Sequence, residues 1–403
     1  MQNYQNLPQE LVVEILSRLP VKALVRYKCV CTQWRTLISS PFFASLHLSS
    51  SISNPTRHTI LSLIHFGYPP VPIDPVSFAP VEKSDLGLDD SYCFGIIKIY
   101  VGSINGLICV TGLYEGSIAI WNPSTRVFRQ VPPGRIKIYE TSIGFGWDPI
   151  ANDYKVVKLC SNHSSTSGGK LESWVWVWSA NLGTWREIKA DRNFFIQRHI
   201  CDVIVNGFTH WIVKDGLGND SKPLIASFDM TNEVLRLVPV PEHLPWLVPL
   251  PPLVPERQLL LGQHYPLFGM NWKGTFALVG CVSRDPMKIY QVWTMENDTA
   301  RRESWSKKFT FELDIEFHCF VSSINGIFIL KTITGELILY YVETRETKIL
   351  ETQDDKLWAL GAHYYVESLI TMKGFSPLRE KTKNVILKAF DSVKCYFMSI
   401  IGL

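Results

Sequence analysis

Apolar residues near the start of the chain recur with the period of an α-helix. They make one wide apolar face, formed by Leu11, Val12, Ile15, Leu16 and Leu19. Pro8 suits the first turn of this helix, where its missing N–H costs nothing, and Pro20 ends the helix. The pattern then predicts two shorter helices before Pro41, so the chain begins with a small helical unit.

This helical unit carries more apolar residues than three short helices can bury among themselves. Units of fewer than about 40 residues rarely bury enough surface to be stable alone. A surplus apolar face on such a unit is typical of a helix-packing interface. From the residues alone, the face could bind another protein or pack on the rest of the chain, and both alternatives stay open.

After His47 the pattern changes to short strands. Residues 49–57 (SSSISNPTR) predict a polar linker. Beyond it, runs rich in Val, Ile, Trp, Tyr and Phe alternate with turn residues, which is typical of β-strands. Asn-Gly pairs are the strongest short-range signal for a tight hairpin. They occur in similar sequences at 103–110, 205–213 and 323–330, and Lys-Gly takes their place at 271–280.

These hairpins belong to a repeat. Each is followed by a second hairpin with a polar turn, and the interval from Asn105 to Asn206 holds two such units of roughly 50 residues each, the period of kelch-like propeller blades. Five four-stranded units can be identified in this way. Strand-like sequences at 58–66 and 363–371 could pair as a sixth unit, which would close a ring and remove exposed sheet edges. A pair of stacked β-sandwiches is the alternative.

Composition limits the classes of protein that fit. The chain has 403 residues, 46% of them hydrophobic, which is enough for a large core. Lys and Arg total 40 against 37 Asp and Glu, and this near balance argues against a nucleic-acid partner. No apolar run approaches the ~18 residues of a membrane span, and no secretory signal is evident, so we expect no membrane partner. The 9 scattered cysteines favour a reducing compartment, cytoplasmic or nuclear, and no metal site or cofactor is expected.

The N-terminal sequence resembles a known family closely. Leu-Pro-x-Glu-Leu, Glu-Ile-Leu-Ser-Arg-Leu-Pro-Val-Lys-x-Leu and Cys-Val-Cys-x-x-Trp-Arg-x-Leu-Ile are similar to the F-box in its plant form, over residues 5–46. The resemblance implies a module that docks on a Skp-type adaptor, and through it on a cullin and a RING subunit. By position, it implies that Leu7 and Pro8 start the adaptor contact. Nine further residues would divide between the adaptor interface and the module's own core: Ile15, Leu16, Leu19, Pro20, Leu24, Val30, Cys31, Trp34 and Leu37.

The β-rich sequence resembles the kelch-like F-box-associated domain of plant F-box proteins, a broad group that includes the pollen S-locus F-box proteins. The resemblance extends from about 95 to 350. It rests on sequences such as WNPSTRVFRQVP (121–132), FGWDPIANDYKVVKL (145–159), NGFTHWI (206–212) and SFDMTNEVLRLVPVP (227–241). Trp147 stands where Tyr is usual, and the kelch double glycine is absent, so that marker does not place the blade boundaries.

Three classes of function fit this architecture. They are a substrate receptor of a ubiquitin ligase, an enzyme with a site in the funnel of a propeller, and a glycan- or protein-binding propeller that acts outside a ligase. The sequence contains no phosphate-binding loop, no zinc-binding His pair and no nucleophile elbow. Asp148 before Pro149 could be a glycosidase-type carboxylate, but an Asp-Pro pair is ordinary at a turn. We therefore expect no catalytic residues.

Tryptophans and short polar residues of the repeats have a structural interpretation. Trp121, Trp178 and Trp211 alternate with polar or small residues, which favours packing between blades over ligand contact. Asn122 and Asp229 begin polar turns, in which short side chains bond to the local backbone.

Two proline-rich segments, 68–90 and 238–258, are longer than hairpin turns need to be. Loops of this length are either functional or loose insertions, and a propeller presents ligand contacts from loops on one face. In the second segment Trp246, Leu247 and Leu250 stand among prolines, and they are the candidate substrate-binding residues.

Together these patterns predict a mainly β chain that begins with a small helical F-box at 5–46 and a linker at 49–57. A kelch-like β-propeller of six blades is predicted at 58–371, followed by a tail at 372–403 that could be helical. The predicted function is non-catalytic. The chain would be the substrate-recognition subunit of an SCF-type E3 ubiquitin ligase, with the F-box on a Skp-type adaptor and the propeller on a protein target. A propeller binding module outside a ligase is the alternative.

Overall fold

The chain forms two compact units in a computed structural model. The first consists of Met1–Val131 with Ala362–Leu403, and the second of Pro132–Gly361. The structure describes residues 7–63, 71–73, 98–112, 117–134, 140–163, 171–196, 201, 203–217, 221–244, 267–283, 288–297, 303–314, 317–324, 326–332, 337–350 and 361–377.

The first unit begins with four helices. They are α1 (Gln9–Ser17), α2 (Val21–Tyr27), α3 (Thr32–Ser39) and α4 (Pro41–Ile52), and a 3-10 turn follows at Pro55–Arg57. The hydroxyl of Ser40 accepts a hydrogen bond from Phe43 N–H at 3.1 Å and so caps α4, with Pro41 in its first turn. The apolar faces of the helices meet in one core, made of Leu16, Val21, Leu24, Ile38, Phe43 and Ala44, together with Leu369 from the end of the chain.

Residues 49–57, for which the sequence predicts a polar linker, are part of this helical unit. Helix α4 continues through Ile52, and both Ser51 and Arg57 are buried. Arg57 Nη1 donates to the Ser51 hydroxyl at 3.0 Å and to Ser17 O at 3.2 Å. Polar composition predicts exposure, whereas these side chains satisfy one another's hydrogen bonds inside the unit. The helical unit therefore extends beyond the predicted end at residue 46.

The described strands run the length of the chain after the helices. In chain order they are β1 (His58–Leu63), β2 (Val71–Ile73), β3 (Lys98–Ile104), β4 (Leu107–Gly112), β5 (Ile118–Asn122), β6 (Val127–Val131), β7 (Glu140–Asp148), β8 (Asp153–His163), β9 (Leu171–Ser179), β10 (Trp185–Ile188), β11 (Phe195–Ile196), β12 (Val203–Val205), β13 (Phe208–Lys214), β14 (Pro223–Asp229), β15 (Val234–Pro239), β16 (Leu267–Trp272), β17 (Thr275–Ser283), β18 (Lys288–Asn297), β19 (Glu303–Leu313), β20 (Phe317–Ile324), β21 (Ile327–Thr332), β22 (Leu337–Tyr341), β23 (Thr347–Leu350), β24 (Gly361–Val366) and β25 (Ser376–Pro377).

The described strands form six sheets, and the strand pairs of the first five are antiparallel. Sheet I contains β3 to β6 with β25 beside β6, sheet II contains β7 to β10, sheet III contains β11 to β15, sheet IV contains β16 to β19 and sheet V contains β20 to β23. These five sheets follow the five repeats that the sequence predicts, and the mainly β class is confirmed. A sixth sheet, the end sheet, has the order β2-β1-β24.

The end sheet joins the two ends of the β-rich sequence. The predicted pairing between the sequences at 58–66 and 363–371 is confirmed by β1 and β24, while the sixth blade stays a prediction. Strand β2 lies in the proline-rich segment 68–90, so part of that segment belongs to a sheet. Strand β25 lies in the predicted tail, and residues 378–403 of that tail are outside the described residues.

Tight turns join the first two strands of several sheets. Asn105 and Asn206 have φ of 54° and 50°, and the glycines that follow them are also at positive φ. Positive φ at both central positions is what a two-residue hairpin turn requires, so the Asn-Gly prediction is confirmed at these two turns. Lys273 takes the same conformation before Gly274, with φ of 49°.

Packing between sheets of the second unit depends on aromatic side chains. A Cβ atom at Gly144 on β7 would lie 2.5 Å from Trp211 Cζ2 on β13, so only glycine leaves room for this indole. Sheets II and III therefore pack through Trp211, as the sequence predicts for this residue. Asp229 confirms the predicted turn chemistry, because its carboxylate accepts from the backbone N–H groups of Thr231 and Asn232 at 2.8 and 3.0 Å.

Candidate protein-docking site

Helix α1 presents an apolar stripe to solvent. Leu7, Leu11 and Ile15 are 60%, 45% and 52% exposed. Because residues four positions apart lie on the same face of a helix, Leu11 and Ile15 are neighbours, and Leu7 extends the stripe just before the helix begins. An exposed row of large aliphatic side chains is unfavourable in water and favours a protein partner.

A second group of exposed apolar residues surrounds the turn between α2 and α3. Val30 is 62% exposed, and Cys31 beside it is also exposed. The sulfur of Cys31 accepts a hydrogen bond from Trp34 N–H at 3.4 Å, which places Cys31 at the N-cap of α3. The ring centroids of Tyr27 at the end of α2 and Trp34 in α3 lie 5.6 Å apart, so the two helices contact each other next to this turn. We call Leu7, Pro8, Leu11, Ile15, Val30 and Cys31 the docking surface.

Basic side chains outnumber acidic ones on the three helices that carry this surface. The exposed charged residues from α1 to α3 are Glu10, Glu14, Arg18, Lys22, Arg26 and Arg35. Arg35 Nε donates to Lys28 O at 3.2 Å and so helps to close the turn before Val30. Partial burial lowers the pKa of Lys28. Arg18 pairs with Glu14, and the remaining excess of basic side chains on these helices favours a partner that carries acidic groups.

The 11 residues that the F-box resemblance implies fall into three groups. Leu7, Pro8, Ile15, Pro20, Val30 and Cys31 are exposed, and Leu19, Trp34 and Leu37 are partly buried. Leu16 and Leu24 are 1% and 0% exposed, so a partner cannot contact them unless the helices rearrange. Of the two roles that the resemblance implies, these two side chains therefore take the one in the module's own core, while the adaptor contacts of the exposed residues stay a prediction. Leu11, which was not among the 11, lies on the exposed stripe, and its spacing from Leu7 and Ile15 is the signal that identifies it.

The candidate substrate-binding residues Trp246, Leu247 and Leu250 lie outside the described residues. The structure does describe where their segment begins. Leu244 is fully buried, and a Cβ atom at Gly280 on β17 would lie 2.6 Å from Leu244 Cδ1. The proline-rich segment is thus anchored in the core of the second unit before Trp246.

Asp148, the one carboxylate considered for catalysis, is occupied by structural contacts. Its Oδ1 accepts from the N–H groups of Ile150 and Ala151 at 3.0 and 3.1 Å, and its Oδ2 accepts from Lys155 Nζ at 2.7 Å. Burial alone would raise the pKa of Asp148, but the hydrogen bonds from Lys155 and the turn amides hold this pKa below its ordinary value. These contacts make Asp148 a turn residue of sheet II, as its position before proline suggests.

Other kinds of site can be considered only for the part of the chain that the structure describes. There, no three His, Cys, Asp or Glu side chains are grouped as a metal site would need. No described helix combines the length and apolarity needed to cross a membrane.

Two family models match the chain. One, described as an F-box domain, matches residues 5–46, and the other, described as an F-box associated beta propeller domain, matches residues 80–351. An F-box protein of Arabidopsis thaliana, At1g47790, is 31% identical, over 75% of this chain and 70% of that protein. F-box protein At5g49610 of the same plant is 26% identical, over 92% of this chain and 93% of that protein. With the Arabidopsis F-box/kelch-repeat protein At3g23880 the identity is 27% over 59% of this chain, and the match spans 66% of that protein, just under two thirds of its length.

Proposed function

Because this chain belongs to the F-box proteins that carry an F-box-associated β-propeller domain, we propose that it is the substrate-recognition subunit of an SCF-type E3 ubiquitin ligase. The F-box docks on a Skp-type adaptor, which connects the chain to a cullin and a RING subunit. The propeller binds a protein target. The cytoplasm and the nucleus, where such ligases act, are the proposed locations.

The observation that carries this proposal is the exposed docking surface. Leu7, Ile15 and Val30 are each more than half exposed, although they lie on a helical unit with a well-packed core. Burying the part of each side chain that is still exposed would contribute about 1 to 2 kcal/mol before the costs of association are subtracted. The excess of basic side chains on α1 to α3 would add electrostatic steering, so association is expected to slow as salt concentration rises.

The proposed work of the chain is positional and not chemical. A bound target is held near the conjugating enzyme, which raises the effective concentration of the target's lysines around the activated ubiquitin. The protein's own side chains need no catalytic role in this scheme, and the structural contacts of Asp148 are consistent with that. A propeller that binds glycans or proteins outside a ligase is the alternative. Binding to a Skp-type adaptor distinguishes these two functions.

The first experiment measures co-purification with a Skp-type adaptor. Ile15→Asp combined with Val30→Asp places two charges on the docking surface and is expected to abolish adaptor binding. Leu182→Asp combined with Ile349→Asp changes two exposed apolar residues of the second unit, 69% and 53% exposed, and is the matched control. We expect the control to bind like the unaltered chain. If the unaltered chain does not bind the adaptor, the ligase function is refuted and the alternative is favoured.

The second experiment tests the receptor function. The Ile15→Asp, Val30→Asp protein should still bind its target, because the propeller is unchanged, but it should no longer promote the target's turnover. Proteins captured by this variant and by the unaltered chain are compared in cells with and without proteasome inhibition. A target whose abundance is independent of both the variant and the inhibitor would argue for a binding module outside a ligase. Glycan turnover by the chain would favour an enzyme.

A further inference from the structure

The core of the helical unit is completed by a residue from near the end of the chain. Leu369 is 4% exposed and belongs to one buried cluster with residues of all four helices, and Ile370 packs against the same cluster. Two other members of this cluster, Leu16 and Val21, lie on either side of the turn between α1 and α2. Loss of the Leu369 side chain would leave a gap beneath the helices that carry the docking surface.

The N-terminus of α2 takes a hydrogen-bond acceptor from the same segment. Pro20, which precedes α2, has no side-chain acceptor, and Val21 N–H donates to Glu367 Oε2 at 3.1 Å. The first N–H groups of a helix have no partner inside the helix, so an acceptor from elsewhere replaces the missing cap. Here that acceptor lies 346 positions further along the chain.

Arg57 connects the Glu367 carboxylate to α1 and α4. Its Nε lies 3.6 Å from Glu367 Oε1, while its Nη1 donates to Ser17 O at 3.2 Å and to Ser51 Oγ at 3.0 Å. The Arg57 side chain is 7% exposed and that of Glu367 is 16% exposed. Buried charges are tolerated when they are paired and hydrogen-bonded, so removing either side chain takes from the other the opposite charge of this pair.

On its other side, the segment is held to sheet I. The side-chain amide of Asn122 donates to both Ser368 O and Ile370 O at 2.9 Å. A Cβ atom at Gly106 would lie 2.2 Å from Ser368 Cβ, so the β3–β4 turn fits closely against the segment. Within the first unit, the same residues therefore contact the docking helices and the first repeat of the propeller sequence.

From these contacts we infer that the docking surface forms only when the C-terminal strap, residues 365–377, is seated on the helical unit. The inference rests on the proposed docking function and adds a condition to it. The strap follows all five repeats in the chain, so during synthesis the helices complete their core only after the repeats have been made. A chain that lacks the strap, or whose strap is displaced, would not present the docking surface. The adaptor would therefore bind only chains in which synthesis has passed the strap and the helical core is complete.

Point variants of the full chain test this inference, with affinity for a Skp-type adaptor as the measurement. Leu369→Asp places a charge in the helical core and lies outside the docking surface. It reduces the fraction of chains that are competent to dock, so we expect the affinity to fall about tenfold or more. Ile349→Asp, at an exposed position of β23, is the matched control and should keep the affinity of the unaltered chain. Unchanged affinity in Leu369→Asp would overturn the inference, whereas no binding by the unaltered chain would refute the proposed function.

A graded series at Glu367 decides the matter if Leu369→Asp does not fold. Glu367→Gln keeps an oxygen acceptor for Val21 N–H, and Glu367→Ala removes it. We expect adaptor affinity to fall from the unaltered chain to Gln to Ala. Hydrogen exchange on the same three proteins should be faster in residues 9–48 of the Ala variant and unchanged in strands β16 to β23. Equal affinity and equal exchange in all three proteins would overturn the inference.

Discussion

Lys155 Nζ lies 2.7 Å from Asp148 Oδ2, and both side chains are about 95% shielded from water. The same ammonium group lies 2.8 Å from Glu233 Oε1 and donates to Met230 O at 2.7 Å. Asp148 and Lys155 belong to sheet II, and Glu233 lies in the turn after β14 of sheet III. One buried cation therefore holds two neighbouring sheets of the second unit together.

Removing this cation should destabilise the second unit strongly. Lys155→Met keeps much of the side-chain volume but leaves the buried Asp148 carboxylate without a cation, whereas Glu233 keeps its ion pair with Arg186. We therefore expect a loss of about 3 kcal/mol or more in the free energy of unfolding. Urea unfolding followed by tryptophan fluorescence measures it. Lys308→Met is the control, because Lys308 pairs with Glu296 at 3.1 Å on the surface, where solvent screens the pair and its contribution to stability is small. Similar losses in the two variants would contradict this account.

Stability should fall in mild acid because of His210. Its ring stacks on Phe276 with centroids 4.3 Å apart, and burial lowers its pKa to about 3. Below pH of about 6.5 the unfolded chain binds a proton at this residue, whereas the folded chain stays neutral until the pH approaches its lower pKa. As the pH falls within that window, this one group therefore lowers the free energy of unfolding by about 1.4 kcal/mol for each pH unit.

Unfolding measured between pH 6 and pH 4 tests the role of His210. His210→Phe keeps an aromatic ring and removes the titrating group, so the dependence of stability on pH should become shallower. His243→Asn, at a solvent-exposed position, should keep the slope of the unaltered chain. An unchanged slope in His210→Phe would show that other groups cause the acid sensitivity.

Two tryptophans on last strands of sheets make the same kind of hydrogen bond. Trp185 Nε1 donates to Pro132 O at 2.7 Å, and Trp305 Nε1 donates to Pro239 O at 2.8 Å. Trp185→Phe and Trp305→Phe should each lose about 1 kcal/mol through the missing donor, in addition to the lost ring area. Their effects should add, because the two residues lie in different sheets.

Trp147→Phe separates the hydrogen bond from the change in ring size. Trp147 Nε1 has no hydrogen-bond partner among the residues that the structure describes. Thermal unfolding of the three single variants and the Trp185, Trp305 double variant provides the comparison. If Trp147→Phe costs as much as the other two, ring area and not the donated hydrogen bond explains the losses.

Truncation of two adjacent residues of α1 should affect different properties of the protein, stability at Leu16 and adaptor affinity at Ile15. Leu16→Ala opens a cavity in the helical core and should cost about 2 to 5 kcal/mol, whereas Ile15→Ala on the docking surface should change stability by about 0.5 kcal/mol or less. Adaptor affinity, measured for both below their unfolding transitions, should fall directly in Ile15→Ala. A large stability loss for Ile15→Ala would mean that its side chain is not free to bind a partner.

Features that depend on near neighbours could be predicted from the sequence. The Asn-Gly turns at Asn105 and Asn206 follow from local backbone preferences, and the five repeats follow from the strand pattern between such turns. The helical periodicity of α1 also predicts its apolar residues, because only spacing along the chain is involved.

The division of those apolar residues between core and surface could not be predicted in the same way. Ile15 and Leu16 are both large and aliphatic, and their different exposure depends on what packs against each face of α1. Part of that packing comes from Leu369, and the burial of Arg57 depends on Glu367. Leu369 and Glu367 are both far along the chain from the helices that they contact. For this reason the prediction of a polar linker around Arg57 is wrong.

The turn at Lys273 and Gly274 shows that the repeats of one chain can serve as references for each other. Lys273 has the same left-handed backbone as Asn105 and Asn206, but its longer side chain tolerates that conformation less well, at a cost of about 1 kcal/mol. Its ammonium group lies 5.4 Å from the centre of the Trp272 ring, which offsets part of that cost. The corresponding turns of the other repeats therefore suggest Lys273→Asn as a stabilising substitution. Further substitutions of this kind can be found by comparing the repeats within this one sequence, before any relative is consulted.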